Sequence, residues 1–184
     1  QGYDMLLVIV DRFSQRVFAI CGKANYTAAQ WGKMFYLTIV CEHCRGIPLE
    51  LITDRDSLFT SDHWKSIQSR CGTSVRFSTS RSQSTNGAVE RTNAVIEEIL
   101  SMDLNYKQNN WCELLPAVLF SINNSTSSAL PNGMAPIEVE TANRPLVPMD
   151  THVALRRNLA NQTEDIEERM VEITTIHEQV HDAV

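Results

Sequence analysis

The sequence predicts an α/β protein built on one mixed sheet flanked by helices. Three observations predict it. Short β-forming runs alternate with helix-length segments in the order strand, strand, helix, strand, helix, strand, helix, helix. The first run, Asp4-Met5-Leu6-Leu7-Val8-Ile9-Val10-Asp11, is nearly continuous in apolar residues, as expected of a strand buried on both faces. With 184 residues, 43% hydrophobic and 21% charged, the chain has room for one core of ordinary size and the make-up of a soluble globular protein.

The elements follow in order. Arg16 to Cys21 reads as the antiparallel partner of the first strand, across a short turn at Phe13 to Gln15. Thr27 can cap a helix through Trp31, Met34, Phe35, Leu37 and Thr38 to about His43, stopped by Gly46-Ile47-Pro48. Leu49 to Thr53 is a third strand, ending at Asp54. Ser61 caps a second helix with Trp64 and Ile67 inward, closed by Gly72, and Ser74 to Phe77 is a short strand. Ser78 to Asn86 has seven Ser, Thr or Asn among nine residues and reads as a mobile loop. A long helix is expected from about Gly87 to Tyr106 with Val95, Ile96, Ile99 and Leu100 inward, then another from Trp111 to Ile122. Ser125 to Asp150 carries four prolines and should be mostly irregular. From about Val153 to Val184 the spacing of Ile166, Met170, Ile173, Ile176 and Val180 suits one amphipathic helix, a connector or an oligomer contact.

Several classes are excluded. No apolar run approaches the roughly 18–20 residues that span a bilayer. The first strand lacks the length and basic flank of a signal peptide. A start at Gln1 reads as a fragment of something longer. Five cysteines without regular spacing (Cys21, Cys41, Cys44, Cys71, Cys112) argue for reduced thiols in an intracellular compartment. The net charge is −6. Residues 1–100 hold 11 Lys and Arg against 10 Asp and Glu, whereas residues 101–184 hold 5 against 12, so the acidity belongs to the second half. No broad basic face is visible, and phosphate contacts supply most nonspecific DNA affinity. Tight DNA binding would need other domains or subunits.

The pair that carries chemistry is Asp54 and Glu90, with 35 residues between them. One ends a strand and the other opens a helix. Carboxylates so placed look like part of a site for two divalent metals, of the kind that cuts and joins phosphodiesters. Magnesium keeps several waters and takes few carboxylates, so a small set of acids plus substrate phosphate suffices.

The motifs in order are Leu6 to Val10 with Asp11-Arg12-Phe13-Ser14, Gly46-Ile47-Pro48 with Thr53-Asp54-Arg55, Phe59-Thr60-Ser61 with Trp64, Asn86-Gly87-x-x-Glu90-Arg91-x-Asn93, Trp111 with Leu115-Pro116 and Asn123, and Gly133-Met134-Ala135-Pro136. Over roughly residues 1–150 this register resembles the catalytic core of retroviral-type integrases, closest to those of gypsy-type LTR retrotransposons. The resemblance implies a ribonuclease-H-like fold with an integrase core at 1–150, truncated at its N-terminus, and a helical extension or connector at 151–184. It maps the second and third acids of the family's Asp, Asp-35-Glu set onto Asp54 and Glu90, as catalytic and metal-binding residues. The first acid belongs to a strand upstream of the segment equivalent to Gly2-Tyr3-Asp4, which is missing here. Asp11 matches a turn position and is not assigned the role.

As the resemblance has it, the function is DNA integration: metal-dependent phosphodiester hydrolysis, then strand transfer of retroelement DNA into chromosomal DNA. The chain as given is expected to be inactive alone. The cofactors are magnesium or manganese, two ions in the complete site, and no small-molecule cofactor. Ser57 and Arg81 are expected at DNA phosphate and Asn86 and Asn93 at the substrate. The partners are element ends, target DNA and further copies of the chain, with no membrane. The setting is nuclear, after cytoplasmic synthesis within a polyprotein. The chain departs from the pattern at Ser82-Gln83-Ser84, where relatives have His-Pro-Gln, and at Glu97, where some have a lysine facing DNA. The alternative is a decayed or host-adopted core that binds DNA or protein without catalysis. Two metal-like motifs, His177-Glu178-Gln179-Val180-His181 and Cys41-Glu42-His43-Cys44, read as coincidences: the first as solvated histidines, the second as a helix end without a partner pair.

Overall fold

The computed structural model describes residues 2–43, 45–54, 56–78, 83–103, 110–145 and 166–183. The end of the helix expected to reach Tyr106, and residues 151–165 of the expected extension, lie outside the described residues. Two compact units form, one of Gln1–Ile9 and Phe18–Val118, the other of Val10–Val17 and Leu119–Val184.

In the first unit, β1 (Met5–Val10) pairs with β2 (Val17–Gly22). The Asp4 N–H donates to the Gly22 carbonyl and the Asp11 N–H to the Arg16 carbonyl, so the pair is antiparallel. β2 is the buried strand. β1 is only half-buried, which corrects the expectation of burial on both faces. Among the described residues its sole strand partner is β2, so its other edge carries no covering strand. Gly22 is required by close approach, because a Cβ there would fall 2.2 Å from the Trp31 ring.

Thr27 caps α1 (Ala28–Phe35) through a reciprocal pair. Its hydroxyl accepts the Gln30 N–H and the Gln30 side chain accepts the Thr27 N–H. α1 continues into π-helical turns over Tyr36–Glu42 that end at His43. β3 (Glu50–Thr53) follows, then the short α2 (Ser57–Thr60) and α3 (Asp62–Arg70), which Ser61 caps by accepting the Trp64 N–H. Gly72, at φ +77°, turns the chain where side chains rarely go. β4 (Ser74–Phe77) then runs parallel to β3, with Glu50 opposite Ser74 and Thr53 opposite Phe77. Parallel pairing requires a crossover, and α2 and α3 supply it. Among the described residues the strands bond as two pairs, β1 with β2 and β3 with β4.

Both pairs serve one core. Phe18 and Ile20 of β2, Trp31, Phe35 and Ile39 of the first helix, and Trp64 of α3 are buried together, with Leu7, Ile9 and Leu51 packed against them. Helix α4 (Gln83–Asp103) starts four residues before the expected Gly87. Its apolar stripe buries Ile96 and Leu100, whereas Val95, expected inward, is 41% exposed. Val95 lies about 100° around the axis from Ile96 and falls at the edge of the stripe. α5 (Trp111–Asn123) buries Leu115 and Val118. Cys21 of β2 and Cys112 of α5 are joined in a disulfide with Cα atoms 6.3 Å apart. This corrects the reading of all five cysteines as reduced, since folding unites two positions whose spacing carries no signal.

The second unit holds more order than four prolines suggested. A turn of 3-10 helix spans Pro131–Gly133, and Pro136 begins α6 (Pro136–Thr141), where the first helical position needs no N–H. α7 (Ile166–Ala183) lays Ile176 and Val180 against Leu130, Met134, Val139 and Phe13. Ile176 and Val180 of the tail's apolar seam thus pack within the chain.

Candidate active site

Asp54 immediately follows β3 and is exposed. Its Oδ1 accepts the Asp56 N–H at 3.2 Å, and the Asp56 carboxylate accepts the Leu58 N–H at 2.8 Å to cap α2. A chain of two Asx contacts therefore fixes the backbone that presents Asp54. Ser57 opens α2 in the same turn, its hydroxyl 3.4 Å from the Asp56 carboxylate. Two exposed carboxylates close in sequence make this turn an attractive place for a cation.

β4 ends level with β3. Thr53 sits opposite Phe77, and the Ser78 N–H donates to the Thr53 carbonyl at 2.8 Å. The chain leaving that shared carboxyl edge enters α4 at Gln83. Ligands of open α/β sheets gather outside this kind of edge. Glu90 is exposed on α4 but is not in its first turn, as expected, because residues 83–86 of the presumed loop are already helical. It lies about 10 Å along the axis from the helix start at 1.5 Å per residue. Ser, Thr and Asn cost a helix only a few tenths of a kcal/mol each against Ala, so their clustering did not forbid it. Asn93 and Glu97 are exposed on the same face as Glu90, three and seven residues on. Arg81, and the side chain of Asn86, lie outside the described residues.

As donors, Asp54 and Glu90 suit magnesium. They are hard oxygen ligands, exposed, and in no ion pair among the described residues. Two carboxylates, waters and a substrate phosphate match the way this ion is usually held. No group of three or more His, Cys, Asp or Glu that could hold a metal exists among the described residues.

Other residues prove structural. The Asp11 carboxylate accepts both the backbone N–H (3.1 Å) and the hydroxyl (2.6 Å) of Ser14, fixing the turn between β1 and β2. The Ser14 hydroxyl also lies 3.1 Å from Glu140, which pairs with Arg16. The His177 ring is half-buried against Phe13 with its Nε2 2.8 Å from the Val139 carbonyl, so it is a packing residue rather than a solvated one. His181 is exposed beside Asp182. His43 packs on the Phe18 ring, and Cys44 lies outside the described residues. Sequence reasoning matched Asn123 to a motif without finding its work. Its amide grips Val17 with both ends, Oδ1 accepting the N–H at 2.7 Å and Nδ2 donating to the carbonyl at 2.8 Å. An Asn at a helix end before a polar stretch was the one available signal.

No family model matches the chain. Among curated proteins, the Tf2-3 transposon polyprotein of Schizosaccharomyces pombe is 33% identical over 138 residues, 75% of this chain. The Tf2-4 polyprotein of the same yeast matches equally. The chain spans about 10% of the length of these polyproteins. Among solved structures, the HTLV-2 integrase catalytic core domain in complex with magnesium, in its trimeric form, superposes with a TM-score of 0.57 at 24% identity, over 72% of this chain and 82% of that one. The catalytic core domain of BIV integrase gives 0.55 at 22% identity, over 73% and 83%. A chain of the simian T-cell lymphotropic virus intasome in complex with PP2A regulatory subunit B56 gamma gives 0.59 at 20% identity, over 78% and 50%. No helix among the described residues is long and apolar enough to cross a membrane. In sequence the chain is a relative of a segment of the Tf2 transposon polyproteins, and its fold is like that of the retroviral integrase catalytic core domains.

Proposed function

We propose that this chain is the part of a retroelement integrase that holds the metal-dependent phosphodiester site, with Asp54 and Glu90 as its catalytic ligands. One observation carries the reading. Asp54 leaves the carboxyl edge that β3 shares with β4, and the helix bearing exposed Glu90 is the next element in the chain after β4. The relatedness to transposon polyproteins supports a role in retroelement DNA integration.

In this reading Asp54 and Glu90 hold magnesium or manganese, and the bound ions supply Lewis-acid stabilisation of the oxygens that attack and leave phosphorus. The turn that fixes Asp54 through Asp56 keeps one ligand in place before DNA arrives. Asn93, beside Glu90, and Ser57, beside Asp54, donate hydrogen bonds to the DNA strand, with Arg81 and Asn86 completing the contacts. DNA ends and target DNA are the substrates, further copies of the chain complete the assembly, and the nucleus is the site of action after release from a polyprotein. Residues 1–150 form the core and 151–184 the extension.

Exposed Glu97 favours a second reading, a core that no longer catalyses, because it sets a negative charge on the face that would meet phosphate. Strand joining in the full-length translation product with magnesium separates the two. Glu90→Gln is expected to abolish joining and leave DNA binding largely unchanged. Joining that survives the substitution removes Glu90 from the site, and a wild-type product that binds DNA without joining it selects the second reading.

A further inference from the structure

The geometry points to Cys21–Cys112 as a reversible redox modification site that takes a small disulfide as its oxidant and controls how firmly the start of α5 is held. Cys21 sits on the buried strand β2, and Cys112 is the second residue of α5, 91 positions later. Both are half-buried, so a small thiol or disulfide can reach them. Two features make the bond matter to the helix. Cys112 lies in the first turn of α5, where the Glu113 and Leu114 N–H groups both donate to the single Asn110 carbonyl, at 3.0 and 3.3 Å. Pro116 has no N–H to give the Cys112 carbonyl, so the first turn of α5 lacks one of its own hydrogen bonds. The cross-link supplies the missing restraint.

The chemistry balances without a further reactant. The Cys112 thiolate attacks one sulfur of R–S–S–R, forming a mixed disulfide and releasing R–S⁻. The Cys21 thiolate then attacks the Cys112 sulfur, closing Cys21–Cys112 and releasing the second R–S⁻. Two electrons pass from the protein thiols to the small disulfide, and the two thiol protons go to the released thiolates. Excess small thiol reverses both steps.

The test is a titration of the purified chain in mixtures of oxidised and reduced glutathione. Differential alkylation with mass spectrometry reads which cysteines are bonded, and hydrogen exchange reads residues 111–116. The expected result is a Cys21–Cys112 bond that forms and opens with the thiol ratio. Opening should accelerate amide exchange in the first turn of α5 by about tenfold or more, because a local restraint is lost. Cys112→Ser should exchange at the fast rate in every mixture, whereas Cys71→Ser should respond as the wild type does. Cys21 and Cys112 that stay alkylatable under oxidising mixtures, or exchange rates equal in the two states, overturn the proposal. The titration of the wild-type chain decides the matter even where a variant fails to fold.

Discussion

Asn123 offers the sharpest test of how the second unit is held. Its side-chain amide satisfies both polar groups of Val17, a residue only 4% exposed, at 2.7 and 2.8 Å. Replacing it by Leu keeps a side chain of similar size and removes both partners at once. Each buried N–H or C=O left without a partner costs about 1–3 kcal/mol, so the loss of two partners is about 2–6 kcal/mol. That is a large share of an ordinary stability of roughly 5–15 kcal/mol. At about 2–4 °C per kcal/mol for a chain of this size, the midpoint of thermal unfolding should fall by roughly 4–24 °C. Asn123→Asp should cost at least as much, because it keeps an acceptor for the Val17 N–H but turns a second oxygen toward the Val17 carbonyl. Thermal and urea unfolding, followed by tryptophan fluorescence, check both. A Leu variant as stable as the wild type would show that water or the neighbouring strand already satisfies Val17, and the reasoning would fail.

Further outcomes follow from the same geometry. Arg16→Met, which strips a half-buried pair from Glu140, should destabilise the chain by about 1–3 kcal/mol. Arg76→Met, which strips the far more exposed pair with Glu50, should cost under about 1 kcal/mol. Equal losses by urea titration would refute that ordering. Gly22→Ala should cost at least about 1–3 kcal/mol, since the new methyl meets the Trp31 ring at 2.2 Å. A melting curve unchanged by the substitution would contradict the packing of β2. Val180→Ala removes two methyl groups from a fully buried position and should loosen α7 by about 1.5–2.5 kcal/mol. Hydrogen exchange along Ile166–Ala183 reads that loss directly, and protection equal to the wild type would place α7 elsewhere.

Much of this was legible because local chemistry and fold agree. Thr27, Ser61 and Gly72 each mark a boundary by satisfying or freeing backbone groups, and each stands where it was read. The apolar run of β1 gave its type and span but not its half-exposure, since burial depends on neighbours in space. Residues 83–86 of the Ser- and Thr-rich stretch entered α4 because propensities of a few tenths of a kcal/mol per residue yield to the context that continues the helix. α6 was hidden because proline reads as a breaker in the middle of a helix and as a starter at its first position. The Cys21–Cys112 bond and the grip of Asn123 on Val17 join positions 91 and 106 residues apart, which no window along the chain can detect. The candidate site was half legible. Asp54 and Glu90 were named from spacing and register, while the Asp56 contacts that orient Asp54 came only with coordinates.

Manganese binding reports most directly on whether Asp54 and Glu90 act together. Electron paramagnetic resonance of the chain titrated with Mn2+ counts bound ions, and Asp54→Asn and Glu90→Gln each remove one proposed oxygen ligand. Sharing of one ion predicts that either substitution weakens binding by a similar large factor, and that the double substitution weakens it little further. Binding unchanged in either variant, or losses that simply add, would contradict a shared cation.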